Sequence, residues 1–561
     1  MAPAAVDYSL YLVTDSTPAI LGDRDLVEVV EQALQGGVTI VQLREKTADT
    51  GELIKIGKAL HEKCKQHGIP LLINDRVDVA LAVGCEGVHV GQDDMNVATA
   101  RQLLGPDKII GATVSSIEEA RIAVERGADY LGIGTLYATN TKKNTKDILG
   151  INGIRKILHY LGISEDEKTR NIKTVCIGGV NASNVQNVIY QLLAPSLSNP
   201  EPKSIDGVAV VSAIVGASDP SKASQNLHKL ITSPPPFSSR TSSLNPPIWH
   251  DDNAAELDNI ASTAITSLAA VRKHSPLSHN MTNLVVQNFA ASVALAIGAS
   301  PIMSNNGAEA LDLANLGGGL VINMGTATPD ALNNHRLAIS AYNSVGGPIV
   351  LDPVGAGATS ARRSALSFLL ASGHFSLIKG NEREILSVAR ASGFTLSLPN
   401  EQQQKGVDSG DSLFTLEQKA YIVSRIAARE RNIVLMTGAT DVLSDGYRTC
   451  AIRNGHEYLG LITGSGCTLG TTLASYLAAA KKEGSDAFYA AVAGILHYEI
   501  AAERAASAPS VKGPGTFIPA FIDSLYHYGR DESEAPLSWL RSALKVDLFK
   551  SIPDAGLLQL P

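Results

Sequence analysis

Cysteine is scarce in this chain: five residues in 561, at positions 64, 85, 176, 450 and 467, with no Cys-x-x-Cys pair. An odd, scattered set of thiols excludes a disulfide framework and a cysteine-bound structural zinc, and a reducing, cytoplasmic setting is expected. Excess positive charge is also missing. Lys and Arg number 47 against 55 Asp and Glu, a net charge of −8, so no basic field exists to hold a nucleic-acid backbone or an anionic membrane. Met1 to Asp15 has neither a basic start nor a long apolar core, and no secretory signal or transit peptide is expected. The one stretch that approaches a membrane span in length, Leu284 to Met303, is broken by Gln287, Asn288, Ser292 and Pro301 and reads as a buried helix. No Walker A sequence occurs, which disfavours a P-loop nucleotide fold.

What is present is an apolar fraction of 44% with 49 glycines and only 18% charged residues, a balance that suits buried sheet covered by small-residue helices. One break dominates, Thr232 to Asn253, a Pro/Ser-rich stretch with no apolar period. It reads as a linker between a first domain, 1–231, and a second, 254–561. Polar stretches at Ser164 to Asn171, Pro195 to Asp206 and Pro399 to Ser412 read as surface insertions. Before the linker, eight β-rich runs start near residues 10, 39, 71, 87, 109, 130, 174 and 207, each followed by a helix-length segment. Continuous apolar strands joined by helices predict a parallel sheet, and eight such units predict a closed (β/α)8 TIM barrel. An open doubly wound sheet is the alternative.

Polar residues cluster at or just after these strands: Gln42, Arg44, Lys46, Asn74, Asp75, Asp94, Thr113, Thr139, Thr141, Lys142 and Ser212, with Gly179 after the seventh strand and Val211 after the eighth exposing backbone. In a barrel they converge on one mouth. Cations beside carboxylates suit a Mg²⁺-bound diphosphate, and glycines after the seventh strand suit a single phosphate held by backbone N–H groups. His89 reads as a hydrogen-bonded core histidine rather than a catalyst. The second half is again α/β, with strand-like runs at 319, 347, 375 and 432, and ends in a Gly-rich loop, Thr463 to Gly466, before a long small-residue helix. Such a helix start favours an anion, while Asp352, Lys379 and Glu384, the last two in a KGNERE turn, offer charge and metal ligation for a nucleotide. Cys467, at the helix start, is expected to ionise readily and accept a hydroxyl proton.

VQLREK (41–46), NDRVDVA (74–80), GVHVGQDD (87–94), ATNTKK (138–143) and IGGV (177–180), in this order, resemble thiamine phosphate synthase over residues 7 to 231. The resemblance implies that Gln42, Arg44, Lys46, Asn74 and Lys142 bind hydroxymethylpyrimidine diphosphate and that Asp75 and Asp94 hold Mg²⁺. It further implies that Thr139, Thr141, Gly179, Val211 and Ser212 bind thiazole phosphate. Thr113 stands where the family usually has Ser, and Thr135 where Pro is frequent. HNMTN (279–283), GASPIM (298–303), NMGT (323–326), LDPVGAGAT (351–359), IKGNEREI (378–385) and TGSGC (463–467) resemble hydroxyethylthiazole kinase, a family with a ribokinase-like fold. This implies Met303 and Gly464 on the thiazole alcohol, Lys379 and Thr437 on ATP, Asp352 and Glu384 on Mg²⁺, and Cys467 as proton acceptor. Arg44, Lys142 and Cys467 are the implied catalytic residues.

Together the halves resemble the fungal-type bifunctional thiamine biosynthesis enzymes. Kinases of that kind are trimers with sites between subunits, which implies a homo-oligomer built on the second half. The competing expectation is a regulatory barrel that binds thiamine phosphate without catalysis, fused to a different ribokinase-like kinase. Loss of the rim carboxylates or of Arg44 and Lys46 marks the first, and Asp in place of Cys467 the second; this sequence has neither.

Overall fold

The computed structural model describes residues 6–139, 148–193, 202–238, 247–325, 327–396, 413–530 and 536–559. The chain divides into two compact units, residues 1–235 and 236–561. In the first, strands β1 (Leu10–Val13), β2 (Ile40–Leu43), β3 (Leu71–Asn74), β4 (Gly87–Val90), β5 (Ile109–Val114), β6 (Tyr130–Ile133), β7 (Lys173–Ile177) and β8 (Gly207–Val210) pair in sequence. Every pairing is parallel, and β8 pairs with β1 to close the barrel. That last pairing decides for the closed barrel over the open sheet. Side-chain alternation splits each strand between two environments. Leu10, Leu12, Val41, Leu43, Leu71, Ile73, Val88 and Val90 join the core beneath the helices. Tyr11, Val13, Ile40, Leu72, Tyr130, Val175 and Ala209 form a separate cluster on the opposite, interior face. By the same alternation Gln42, Asn74, His89 and Thr113 belong to the interior, so the buried strand pattern itself delivers these polar groups to the mouth.

The second unit is built on a nine-stranded sheet. Its strands are β9 (Leu277–Met281), β10 (Ser300–Ile302), β11 (Gly319–Asn323), β12 (Ile349–Asp352), β13 (Leu377–Asn381), β15 (Ile433–Thr437), β16 (Asp441–Ser444), β17 (Thr449–Ile452) and β18 (Val546–Phe549). β14 (Thr395–Leu396) and β19 (Leu558–Gln559) make a small antiparallel pair. The spatial order is β10-β9-β11-β12-β13-β15-β16-β17-β18, parallel as far as β15 and antiparallel beyond it. Helices Asn253–His274, Ser465–Glu483 and Ala487–Ser507 supply apolar residues to the core on one face, where Val321, Val350, Leu377 and Leu435 point. The other face, with Leu320, Ile322, Leu351, Ile378 and Val434, packs on Tyr342, Leu369, Ile385 and Ile422. A mainly parallel sheet covered on both faces places its ligand sites at the carboxyl strand ends.

Three expectations need correction here. The run Leu284 to Met303 is not one buried helix: the helix covers Gln287–Ile297, β10 follows it, and Leu284, Val285 and Leu295 are exposed. The buried positions of this helix are Ala290, Val293, Ala294, Ala296 and Ile297. No helix among the described residues is long and apolar enough to cross a membrane. The KGNERE segment is no turn, because Lys379 lies on β13 and Glu384 in the helix Glu382–Ala391 that follows directly. Finally, the end of the Pro/Ser-rich stretch is built into the second unit: Trp249 is buried and its Nε1 donates to the Thr449 carbonyl at 3.1 Å. Of the polar stretches, 164–171 contains the short helix Glu167–Asn171, while 195–201 and 399–412 lie outside the described residues.

Candidate active sites

At the barrel mouth the loop after β3 turns through Asp75, which takes a left-handed backbone conformation (φ 63°) while its N–H donates to the His89 carbonyl at 2.8 Å. Asp tolerates this region better than most residues. The turn aims the Asp75 carboxylate at Lys46, whose Nζ lies 2.5 Å away. Partial burial opposes ionisation of Asp75, but hydrogen bonds with Asp94, Lys46 and Asn74 and the charge of Lys46 outweigh it, holding the group below the usual carboxylate range. Asp94 moves the other way. Partial desolvation, the hydrogen bond with Asp75 and repulsion from it raise Asp94, against the Gly91 N–H at 2.9 Å and the charge of Lys46. Two carboxylates that contend for one proton, next to a lysine, are a site with surplus negative charge. Arg44 reaches Asp15 at 3.6 Å. Gln42 donates to the Tyr11 hydroxyl at 2.7 Å, and Thr113 pairs with His89 Nε2 at 2.8 Å.

Gly178 and Gly179, with φ of 113° and 71°, follow β7. The segment after β6 crosses them: Leu136 N donates to the Ile177 carbonyl at 2.9 Å and Tyr137 N to the Gly178 carbonyl at 3.2 Å. Thr139, which is partly buried, continues this segment. Val211 and Ser212 open the four-residue helix after β8. Thr141 and Lys142 lie outside the described residues.

In the second unit, the ends of β11 and β12 place Asn323 beside Asp352. Asn323 Nδ2 donates to Asp352 Oδ2 at 2.9 Å, and Lys379 Nζ meets Asp352 Oδ1 at 3.0 Å with both side chains almost wholly buried. Lys379 stays charged: burial works against it, but Asp352, Cys467 and Glu384 together raise it. Glu384 closes the group, accepting the Gly355 N–H at 2.8 Å and the Asn381 N–H at 2.9 Å. Burial and repulsion from Asp352 push Glu384 up to about 7, against Lys379 and the two N–H groups. Cys467 Sγ lies 3.1 Å from Asn323 Nδ2 and 3.9 Å from Asn283 Nδ2. The expected readily ionised thiol is corrected. Burial and the nearby Asp352 charge push it up to about 12, and Lys379 and Asn323 do not compensate. Thr437 ends β15 opposite Asn381, and partly buried Met303 follows β10.

Residues 268–531 match the hydroxyethylthiazole kinase family, and residues 10–214 match thiamine monophosphate synthase. The probable thiamine biosynthetic bifunctional enzyme of Schizosaccharomyces pombe is 40% identical over 96% of this chain and 98% of its own length. The chain belongs to the thiamine biosynthetic bifunctional enzyme family. The Saccharomyces cerevisiae thiamine biosynthetic bifunctional enzyme is 36% identical, again over 96% of this chain and 98% of that one. The thiamine-phosphate synthase of Desulfitobacterium hafniense is 42% identical over 40% of this chain and 98% of its own length.

This bifunctional enzyme therefore joins a thiamine phosphate synthase barrel to a hydroxyethylthiazole kinase domain. Sequence reasoning passed over Asn283, Asn323 and Asp15, which touch Cys467, Asp352 and Arg44. The motifs HNMTN and NMGT contain Asn283 and Asn323, so the sequence carries a signal for both. Gly464, the residue before the helix Ser465–Glu483, has φ 88°, and a Cβ there would lie 2.6 Å from Val286 Cγ2. Gly464→Ala must therefore shift the helix start or Val286. We expect a loss of about 1–3 kcal/mol in the second unit and at least a tenfold fall in kinase turnover, read by thermal unfolding and by ADP release. Unchanged turnover would place Gly464 outside the site.

Proposed function

We propose that the kinase domain phosphorylates the hydroxyl of 4-methyl-5-(2-hydroxyethyl)thiazole with ATP, and that the barrel joins the thiazole phosphate to hydroxymethylpyrimidine diphosphate, giving thiamine phosphate and diphosphate. The observation that carries the barrel reading is the Asp75–Asp94 pair beside Lys46: surplus negative charge shared between two carboxylates fits Mg²⁺, which takes one or two carboxylates plus phosphate oxygens. When bound, that cation neutralises charge on a diphosphate. Arg44, Lys46 and Lys142 hold the diphosphate, Gln42, Asn74 and Thr113 the pyrimidine, and Thr139, Thr141, Gly179, Val211 and Ser212 the thiazole phosphate. The C–O bond to the pyrimidine methylene breaks, the diphosphate leaves with the electron pair, and the thiazole nitrogen supplies the pair for the new C–N bond. Little base chemistry is needed; the residues position both partners and stabilise charge on the leaving group.

In the kinase, Asp352 and Glu384 would hold Mg²⁺, a role supported by the raised Glu384, whose repulsion from Asp352 a cation relieves. Lys379 and Thr437 take ATP, and Met303 and Gly464 the thiazole alcohol. The alcohol oxygen attacks the γ-phosphorus as the bond to the bridging oxygen breaks, ADP leaves with the electron pair, and the hydroxyl proton is released late in the transfer, with Cys467 as its acceptor and Asp352 kept as a carboxylate. A thiolate at rest is not required, because phosphoryl transfer through a loose transition state asks little of a base. Exposed Leu284 and Val285, next to Asn283, support a homo-oligomer formed on this domain, and five free thiols support a cytoplasmic setting. The test is the purified chain with thiazole alcohol, ATP, Mg²⁺ and pyrimidine diphosphate, followed by thiamine phosphate. Omitting ATP should stop product, and supplying thiazole phosphate should restore it; product without either would refute the division of labour.

A further inference from the structure

The interior of the barrel carries a chain of hydrogen bonds that the mechanism above does not use. Gln42 Nε2 donates to the Tyr11 hydroxyl at 2.7 Å; Tyr11 and Tyr130 hydroxyls stand 2.7 Å apart; Tyr130 meets His89 Nδ1 at 2.8 Å; and His89 Nε2 meets Thr113 Oγ1 at 2.8 Å. Gln42, Tyr11 and Tyr130 are buried. Room for the chain is built into the neighbouring strands. A Cβ on Gly111 of β5 would overlap the Tyr130 ring, and one on Gly132 of β6 would lie 2.8 Å from His89 Cε1. Burial raises both phenols well above their ordinary range, so both keep their protons as donors.

We propose that Tyr11, Tyr130 and His89 are positioning residues that couple the orientations of Gln42 and Thr113 and so make the barrel selective for an aminopyrimidine over its oxo counterpart. The inference rests on the reading that Gln42 and Thr113 face the pyrimidine. An amide nitrogen can only donate, so Tyr11 accepts from Gln42 and passes its own proton to Tyr130. Tyr130 then donates to His89 Nδ1, which fixes the imidazole as the Nε2–H tautomer. Nε2–H donates to Thr113, and the Thr113 proton is left for the ligand. One end of the chain thus offers an acceptor, Gln42 Oε1, and the other a donor, the Thr113 hydroxyl. An aminopyrimidine answers with an N–H donor and an unprotonated ring nitrogen. Its oxo counterpart reverses both, presenting C=O and a ring N–H, and accommodating it would require every link to turn over.

The test compares the intact chain with Tyr130→Phe and Tyr11→Phe, each of which removes one link and keeps the ring. The readouts are kcat and KM of the condensation with the aminopyrimidine diphosphate and with its 4-oxo analogue, supplied with thiazole phosphate. The parent chain should prefer the amino substrate by roughly 10⁴-fold. Each variant should lower that ratio at least about tenfold, mainly through KM, with the barrel's unfolding temperature recorded in parallel. Nitrogen NMR of the parent chain should show His89 protonated on Nε2 alone, a readout independent of turnover. Equal losses for both substrates with an unchanged ratio, or an Nδ1–H tautomer, would overturn the proposal. Failure of the parent chain to condense the amino substrate at all would instead refute the proposed function.

Discussion

Replacing Lys379 with Met is expected to abolish thiazole phosphorylation and to destabilise the second unit by about 3–5 kcal/mol, while the barrel continues to condense supplied thiazole phosphate. The Lys379 ammonium is almost wholly buried and sits 3.0 Å from Asp352. Its charge also acts on Glu384 and on Asp441, both buried carboxyls pushed up to about 7. Deleting this cation leaves Asp352 without its ion-pair partner at a buried position, and removing one partner of such a pair costs far more than the intact pair is worth. The Asp352 carboxylate also loses the ammonium that holds it in place at 3.0 Å, so stability and kinase activity fail together. Unfolding followed by denaturant, ADP release, and condensation of thiazole phosphate in the same preparation give the three readouts. A kinase rate within threefold of the parent would show that Asp352 works without the lysine.

The barrel was legible because its strands are short, mainly apolar and separated by helices with explicit start signals. Asp25, Asp49, Asn96 and Ser116 each accept the N–H three residues on, as such caps should. In the second unit the runs at 319, 347, 375 and 432 correspond to β11, β12, β13 and β15. The antiparallel edge was not legible. β16 and β17 carry the buried polar residues Asp441, Ser444 and Thr449, and the pairing of Ser444 Oγ with Thr449 Oγ1 at 2.8 Å is one the sequence does not display. The run at 432 crosses from β15 into β16 through Gly438 to Thr440, so one apolar run hid a hairpin. Residue types in the sites were readable from motifs, but protonation was not. A helix start suggested an ionised Cys467, whereas depth and the facing Asp352 decide the opposite. Asp75 and Asp94 read as independent ligands; only the fold brings them into competition for a proton.

Asp94→Asn should move stability and activity in opposite directions. Asp94 holds its proton more tightly in the folded chain than in the unfolded one, through partial desolvation and the neighbouring Asp75. Between the unfolded and the raised folded pKa the folded chain binds the extra proton, so stability falls as pH rises through that window, and at neutral pH the full cost is present. Asparagine mimics the protonated acid: its Nδ2–H can donate to Asp75, and its Oδ1 can keep the Gly91 N–H now held at 2.9 Å by the carboxylate. The barrel should gain at most about 1 kcal/mol, since Asp94 is exposed enough for water to screen the repulsion, and should lose stability less steeply as pH rises through that window. Condensation at limiting Mg²⁺ should nevertheless drop by at least about 100-fold, because an amide contributes no charge to a hard divalent cation, with partial recovery as Mg²⁺ is raised. A variant that is less stable at neutral pH, or that condenses at the parent rate at limiting Mg²⁺, would remove Asp94 from the cation site and with it the reason for two carboxylates at this rim.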